Sequence, residues 1–327
     1  MLIENARTNA RTSERANRRT GEMKMSEQTM SAAVVTEFGG PEQVELAEVP
    51  VPRPAAGQVR VKVTAAGLNP VDGGVRSGIF GGAGQRLGLG WDVSGEIDEI
   101  GADVTDRRTG ERVVGLHYGT VKPLGTHAQY VVLDASAVAS APTTVDAVTA
   151  AGLPLAGLTA ARAVDLLELA PGSSVLITGA AGVVGALAVQ LAVRAGLVVT
   201  ALAGAEDEEF VRSLGATGFV PRGTAPAGPV DGALDAAVLG AVALGSVRDG
   251  GVYVGLIPNH APAAERGVRV VEQEVAADGA HLARLVDLVD EGALTLRVAD
   301  TFPLAEVAKA HAHLETPGVR GRVILTV

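Results

Sequence analysis

Apolar and polar positions alternate along residues 59–64, where Val59, Val61 and Val63 interleave with Arg60, Lys62 and Thr64. A period of two predicts a strand with one face in a core. Short apolar runs at 32–36, 93–100 and 130–133 lie between Gly, Pro and Asp turns, so residues 30–152 predict a mostly β, open or barrel-like unit. The rhythm changes at Leu153. Residues 174–178 (SVLIT) form a continuous apolar strand of the kind buried on both faces of a parallel sheet. A glycine-rich turn follows, then a helical run to Ala195 that Gly196 stops. The pattern continues with a strand at 197–202, a helix at 205–214 led by Glu206 and Asp207, and strands at 232–237 and 251–257. This alternation predicts an α/β chain with a doubly wound parallel sheet over 153–292. A helix at 280–291 carries Leu282, Leu285, Val286 and Val289 on one face, with Asp278 as its cap and Gly292 as its stop. The segment 294–302, a helix near 304–314 and a strand at 322–327 close the chain.

Residues 1–29 show no apolar period and no apolar h-region, which predicts a disordered tail or an over-long start rather than a secretory signal. The five arginines from Arg7 to Arg19 suit a transit peptide, but Glu4, Glu14 and Glu22 argue against one. The longest apolar region, 179–205, is broken by Gln190 and Arg194, short of the ~20 apolar residues of a membrane span. A soluble, cytoplasmic chain without membrane contact is expected.

Composition narrows the chemistry. The 327 residues suffice for about two domains. A formal charge of −10 disfavours phosphate backbones and anionic lipid, so no nucleic-acid partner is expected. The chain has no cysteine, which excludes disulfides, thiolate nucleophiles and Cys-held zinc or iron–sulfur centres.

The central motif is GAAGVVG at 179–185, set between a predicted strand and a predicted helix. Ala180, Ala181, Gly182, Val183, Val184 and Gly185 would cradle a dinucleotide diphosphate. Gly182 lets the backbone approach it, Gly185 lets the helix pack close to the strand, and the helix N-terminus offers free N–H groups. The ribose-reading residue is expected about 20 positions on, at the end of the second strand, where Ala203-Gly204 supplies no carboxylate. That favours NADP(H), with Arg212 or Arg222 as the basic partner of a 2′-phosphate. Arg212 fits a solvated helix face equally well, and the acidic residues at 206–209 offer themselves to ribose hydroxyls instead.

The chain resembles the medium-chain dehydrogenase/reductase superfamily, and within it the zinc-free quinone oxidoreductase group of zeta-crystallin type. The resemblance rests on AVVTEFGGPE (33–42), AAGLNPVDGGVRSG (65–78), GWDVSGEIDEIG (90–101), GERVVG (110–115), GTHAQYVV (125–132), LPLAGLTAARA (153–163), VLITGAAGVVG (175–185), LGATGFV (214–220) and RGRVIL (320–325), in that order. It implies a GroES-like β-barrel catalytic domain over 30–152, to which residues 293–327 return, and a Rossmann NADP-binding domain over 153–292. Where metal-dependent relatives carry a Cys and a His-Glu pair, this chain has Asn69 and Trp91-Asp92, so no metal is expected. His311 and His313, two apart, point to different helix faces.

What the resemblance then implies is hydride transfer from NADPH to a small quinone or activated C=C or carbonyl acceptor. The alternatives are an enoyl or alkenal reductase of a biosynthetic pathway, and a nucleotide-binding regulatory protein without catalysis. Asn69 and Asp72 match the N-x-x-D segment near the nicotinamide; Asp72 could equally pair with Arg76. Thr159 matches a cofactor-facing threonine, with helix capping as the alternative. Leu256 and Ile257 fall where backbone groups hold the carboxamide, and Arg322 replaces a common lysine that reaches cofactor or substrate. Gly74 stands where relatives often carry Tyr, and Pro221-Arg222 where a Tyr often follows the third strand of the parallel sheet. Tyr130 fits a packed strand position, which leaves Tyr118 as the proton-donor candidate. The resemblance also leaves a homodimer as an option.

Overall fold

The computed structural model describes residues 28–224 and 228–327. The expected tail at 1–29 lies outside them save for its last two residues. Thr29 already pairs with Pro50, and Gln28 accepts the Val51 amide at 2.8 Å, so the first sheet begins before Met30. Part of the expected turn segment 221–230 also falls outside the described residues.

The described residues begin with β1 (Thr29–Val35), β2 (Val44–Pro50) and β3 (Gln58–Gly67), then the seven-residue helix α1 (Pro70–Arg76). Strands β4 (Leu87–Gly88), β5 (Asp92–Ile100), β6 (Arg112–Leu116), β7 (Tyr130–Asp134) and β8 (Val138–Ser140) follow. Val59, Val61 and Val63 of β3 are buried while Lys62 and Thr64 are exposed, the outcome that alternation requires of a strand with one wet face. The four-residue α2 (Ala147–Ala150) and the 14-residue α3 (Pro154–Leu167) lead into the second half.

That half alternates β9 (Ser174–Thr178), α4 (Val183–Arg194), β10 (Val198–Ala203), α5 (Glu208–Ser213), β11 (Gly218–Pro221), β12 (Val230–Asp235), α6 (Ala241–Gly245), β13 (Val247–Gly255) and β14 (Arg269–Glu272). The six strands form one all-parallel sheet in the order β11-β10-β9-β12-β13-β14. The order reverses between β9 and β12, and in such sheets the crevice at the carboxyl ends of those strands is where ligands bind. Val175, Leu176 and Ile177 are buried, so β9 is covered on both faces, as a central parallel strand must be. The sixth strand, β14, had no counterpart in the sequence pattern, because its four edge residues are half exposed.

The closing elements are α7 (Gly279–Asp290), β15 (Val298–Pro303), α8 (Val307–Leu314) and β16 (Arg322–Thr326). β16 runs antiparallel to β3, with Ile324 opposite Gly67 and Thr326 opposite Ala65. It joins the seven-stranded sheet β15-β16-β3-β5-β6-β8, in which β7 also pairs with β3. The pairing sets Arg322 beside Leu68 and Asn69, which are 253 or more positions away in the chain.

Helix α8 covers an interior that holds two buried imidazoles. His127 and His311 meet edge to face with centroids 5.9 Å apart. Burial holds both near 4, below the ordinary histidine value, and the half-buried His117 near 3. A base whose folded-state pKa is depressed stabilises the fold in full above about 6.5, and that stability is lost as pH falls toward 4. Asp92, pushed up by burial to about 6, works in the opposite sense below that pH, as does Asp72. Three histidines against two carboxylates give a net loss on acidification. The denaturation midpoint should therefore fall between pH 7 and pH 5, with a shallower slope in His311→Gln; an equal slope in both proteins would show that His311 does not protonate on unfolding.

Candidate active site

The turn after β9 is built for a close approach. Gly179 takes φ +59 and accepts the Gly182 amide at 2.9 Å, while the Ala180 amide bonds Leu202 O of the neighbouring strand. Helix α4 starts at Val183 with Gly182 as its N-cap and no side chain capping it. Its first-turn amides are thus free for a ligand, at the positive end of a 12-residue helix. A Cβ at Gly182 would meet only Gly179 O, at 3.2 Å, whereas one at Gly185 would lie 2.1 Å from the same oxygen. Gly182 therefore faces open space and Gly185 a packed backbone. The turn opens onto a groove lined by Gly152, Ala181, Gly182, Val183, Arg297 and Gly321, so the parallel sheet and the returning C-terminal segment share it.

One residue beyond Gly321 lies a buried polar cluster. The Arg322 side chain donates through Nη1 to Leu68 O and to Asn69 Oδ1. Asn69 passes its own amide Nδ2 to Asp92 Oδ2 at 2.9 Å, and Asp92 Oδ1 accepts the Leu155 amide at 2.6 Å at the start of α3. Asn69 also caps α1 in a reciprocal box with Asp72, whose two oxygens accept the Asn69 and Gly90 amides at 2.8 and 2.9 Å. The four side chains are each at most 4% exposed. Burial raises both carboxyls, Asp92 to about 6 against the pull of Arg322, and Asp72 against that of His311.

Next to this cluster stands Lys122, 8% exposed, which sequence pattern did not single out. Its Nζ donates to His117 O at 2.7 Å and lies 4.8 Å from the centre of the Trp91 ring. Burial pulls it down to about 8, and the charges of Asp72 and Asp92 resist the fall. Tyr118 meets the same indole edge to face at 5.3 Å and donates its hydroxyl to Glu274 Oε1, just past β14. Loop 117–125 of the first half therefore touches the carboxyl end of the parallel sheet.

Several expectations change with these contacts. Asp72 does not pair with Arg76, because two backbone amides take its oxygens and Arg76 turns to Glu315. Thr159 does not cap a helix: it is buried in the interior of α3, six residues after the N-cap. Tyr118 is half exposed and tied to Glu274, and burial and that carboxylate both raise its pKa. Arg212 spans Glu208 at 2.8 Å and Thr217 O at 3.0 Å, which is the solvated-face arrangement. Arg222 instead follows β11 with its amide on Ala203 O at 2.7 Å, beside Gly204. Leu256 and Ile257 directly follow β13, Ile257 being 45% exposed. Arg320, unnoticed in the sequence, reaches across to hold Glu206 at 2.6 Å and both oxygens of Asp207. No local pattern signals that ion pair, whose members lie 113 and 114 positions apart.

The donor set does not suit a transition metal. There is no cysteine in the chain, Asn69 and Asp92 are spent on each other, and Trp91 is no ligand. Among the described residues no group of three or more His, Cys, Asp or Glu side chains is placed to hold a metal ion, and no helix there is long and apolar enough to cross a membrane.

Comparison with known proteins bears on the fold and the family. Residues 55–143 match the family described as "Alcohol dehydrogenase GroES-like domain" and residues 203–325 the one described as "Zinc-binding dehydrogenase". The chain is 32% identical over 90% of its length to the chloroplastic NADPH-dependent alkenal/one oxidoreductase of Arabidopsis thaliana, covering 79% of that protein. It is 30% identical over 88% of its length to the chloroplastic quinone-oxidoreductase QR1 of Triphysaria versicolor, covering 95% of it. The solved quinone oxidoreductase of Coxiella burnetii superposes with a TM-score of 0.84 at 30% identity, over 92% of this chain and all of that one. A parallel sheet with an open glycine turn, docked on a β-barrel through its own C-terminal strand, thus goes with sequence kinship over nearly the whole described chain: it belongs to the medium-chain dehydrogenase/reductase superfamily, in the quinone oxidoreductase group.

Proposed function

We propose that the protein is an NADPH-dependent reductase of quinones and conjugated carbonyl compounds that works without a metal. The observation that carries this is the uncapped start of α4 at Gly182, opening onto the groove that ends at Gly321, one residue before the buried Arg322. A diphosphate there would accept the free amides of Val183 and Val184. The names of the Arabidopsis and Triphysaria relatives supply the reductant and the two acceptor classes. When bound, the reduced nicotinamide would supply a hydride.

The chain's own residues do the rest. Leu256 and Ile257, at the carboxyl end of β13, would flank the carboxamide, and Thr159 on α3 the ribose. Asn69 and Asp92 fix the floor of the site, and Arg322 balances the buried carboxylate charge. Preference for NADPH follows from charge: the Glu206 carboxylate, which lies against Gly204, and Asp207 are both held by Arg320, and Arg222 follows β11 beside Gly204, so a 2′-phosphate there would meet paired rather than free carboxylates. The free edge of β14 is where a second copy would extend the parallel sheet.

Titration of the protein with NADPH and NADH, followed by NADPH oxidation in the presence of a benzoquinone and of an enone, tests the reading. NADPH should bind at least about tenfold tighter, a difference of ~1.4 kcal/mol, and both acceptors should accelerate its oxidation. Tighter NADH binding would overturn the cofactor assignment. Binding with no oxidation by either acceptor would leave a nucleotide-binding protein without catalysis.

A further inference from the structure

Among the described residues the buried Lys122 makes no ion pair. The two carboxylates nearest to it in charge terms, Asp72 and Asp92, are satisfied elsewhere: Asp72 by the amides of Asn69 and Gly90, Asp92 by Leu155 N–H and Asn69 Nδ2. An ammonium has three N–H donors. The His117 carbonyl takes one and the face of Trp91 attracts the cation from one side, which leaves donor capacity unspent. The same indole carries Tyr118 on its other contact, and Tyr118 reaches Glu274 beyond β14. The lysine therefore stands where the barrel loop closes on the carboxyl ends of the parallel strands, the side on which Leu256 and Ile257 emerge.

Resting on the reductase reading above, we propose that Lys122 is the catalytic acid of the site: its ammonium donates a hydrogen bond to the acceptor's carbonyl oxygen and then protonates the reduced acceptor. Reduction of a quinone or enone takes one hydride and one proton. The hydride comes from the reduced nicotinamide cofactor, and the proton comes from Nζ. One N–H bond breaks, its electron pair stays on nitrogen, and an O–H bond forms on the enolate or phenolate oxygen. Water then returns a proton to the neutral amine. The buried setting makes the hydrogen bond worth more as negative charge develops on that oxygen than it is in the ground state.

The groups facing Lys122 are Asp72 on α1, Asp92 on β5, His117 from its own loop and His127, with Arg322 behind Asp92. Asp92 near 6 and the two imidazoles near 3 and 4 titrate on the acid side of neutrality, whereas burial sets Lys122 near 8. Asp72 is also raised by burial, so a rate that falls as pH rises through about 8 is assigned to the lysine by its loss in the Lys122 variants, which keep Asp72.

The test compares wild type, Lys122→Met and Lys122→Arg in kcat against pH with an enone, in NADPH affinity by fluorescence titration, and in thermal midpoint. Wild type should lose rate above pH 8. Lys122→Met should lose kcat by about 10²–10⁴-fold and show no such limb, with NADPH affinity held within about twofold. Lys122→Arg keeps a charge that does not titrate, so it should fold like wild type and hold the oxygen, recover part of the rate, and lack the limb. If Lys122→Met keeps the wild-type kcat, or either variant keeps the limb near pH 8, the proposal is overturned. If Lys122→Met does not fold, Lys122→Arg decides by the same limb. Wild type that binds NADPH but turns over no acceptor would instead overturn the reductase reading itself.

Discussion

Valine in place of Gly182 is expected to leave the fold standing and to remove dinucleotide binding, while alanine in place of Gly185 is expected to damage the fold itself. The two glycines sit three residues apart on one turn, yet their surroundings differ. At Gly182 the backbone has φ −75, a region any residue adopts, and an added Cβ meets one oxygen at 3.2 Å. The valine side chain would project into the place of the diphosphate and shut off the free amides of α4. Losing two such charge-assisted bonds at ~1.5–3 kcal/mol each should weaken NADPH binding by at least about 100-fold. At Gly185 a Cβ would come within 2.1 Å of Gly179 O, 2.7 Å of Gly179 C and 2.9 Å of Ala180 Cα. All three are backbone atoms of the turn that ends β9, so relief requires moving α4 off the sheet, at a cost of about 1–3 kcal/mol or more. Thermal unfolding and fluorescence titration of both variants check the pair. Unchanged NADPH affinity in Gly182→Val would mean that the diphosphate lies elsewhere, and an unchanged midpoint in Gly185→Ala would mean that α4 is not seated on the turn.

This contrast also shows what a sequence can carry. Strand, glycine turn, helix and second strand at 174–203 are contiguous, each specified by its own period and punctuation, and the parallel sheet follows from them. Asn69 and Asp72 were legible only through the resemblance, as its N-x-x-D segment; the structure shows that spacing to be an N-cap and its partner three residues on. The rest of the site was not. Arg322 meets Asn69 across 253 positions, Asp92 meets Leu155 across 63, and Arg320 meets Asp207 across 113. Lys122 is a lone lysine in a loop of Gly, Pro and Thr, where a solvated side chain is the ordinary outcome. Only the closure of that loop over Trp91 buries it. Tertiary contact decides such surroundings: it sets Tyr118 on Glu274 and Arg212 on Glu208, and it buries Lys122, which we propose as the proton donor.

The buried cluster makes the other large effect. Asp92→Ala is expected to destabilise the protein by about 2–6 kcal/mol, the cost of leaving two buried donors without an acceptor at ~1–3 kcal/mol each. Alanine would leave the Leu155 amide and Asn69 Nδ2 without acceptors, and the Arg322 guanidinium would lose one of the two carboxylates whose charge offsets it. Asp92→Asn separates charge from hydrogen bonding. Its carbonyl oxygen can still accept from Leu155, but its NH₂ then faces the NH₂ of Asn69, which cannot turn over without abandoning Arg322. The asparagine variant should therefore lose less, about 1–3 kcal/mol for one buried donor left unpaired. Because Asp92 is raised in the fold to about 6 from an ordinary 3.8, the native protein takes up its proton before the unfolded chain does. Stability tied to Asp92 thus grows as pH falls from 6 toward 4, and in Asp92→Asn that gain should be missing. Chemical denaturation of the two variants and wild type at pH 7 and pH 5 measures both effects. A loss below about 1 kcal/mol in Asp92→Ala would show that the Leu155 amide and Asn69 Nδ2 find other acceptors and that Asp72 alone offsets the Arg322 charge.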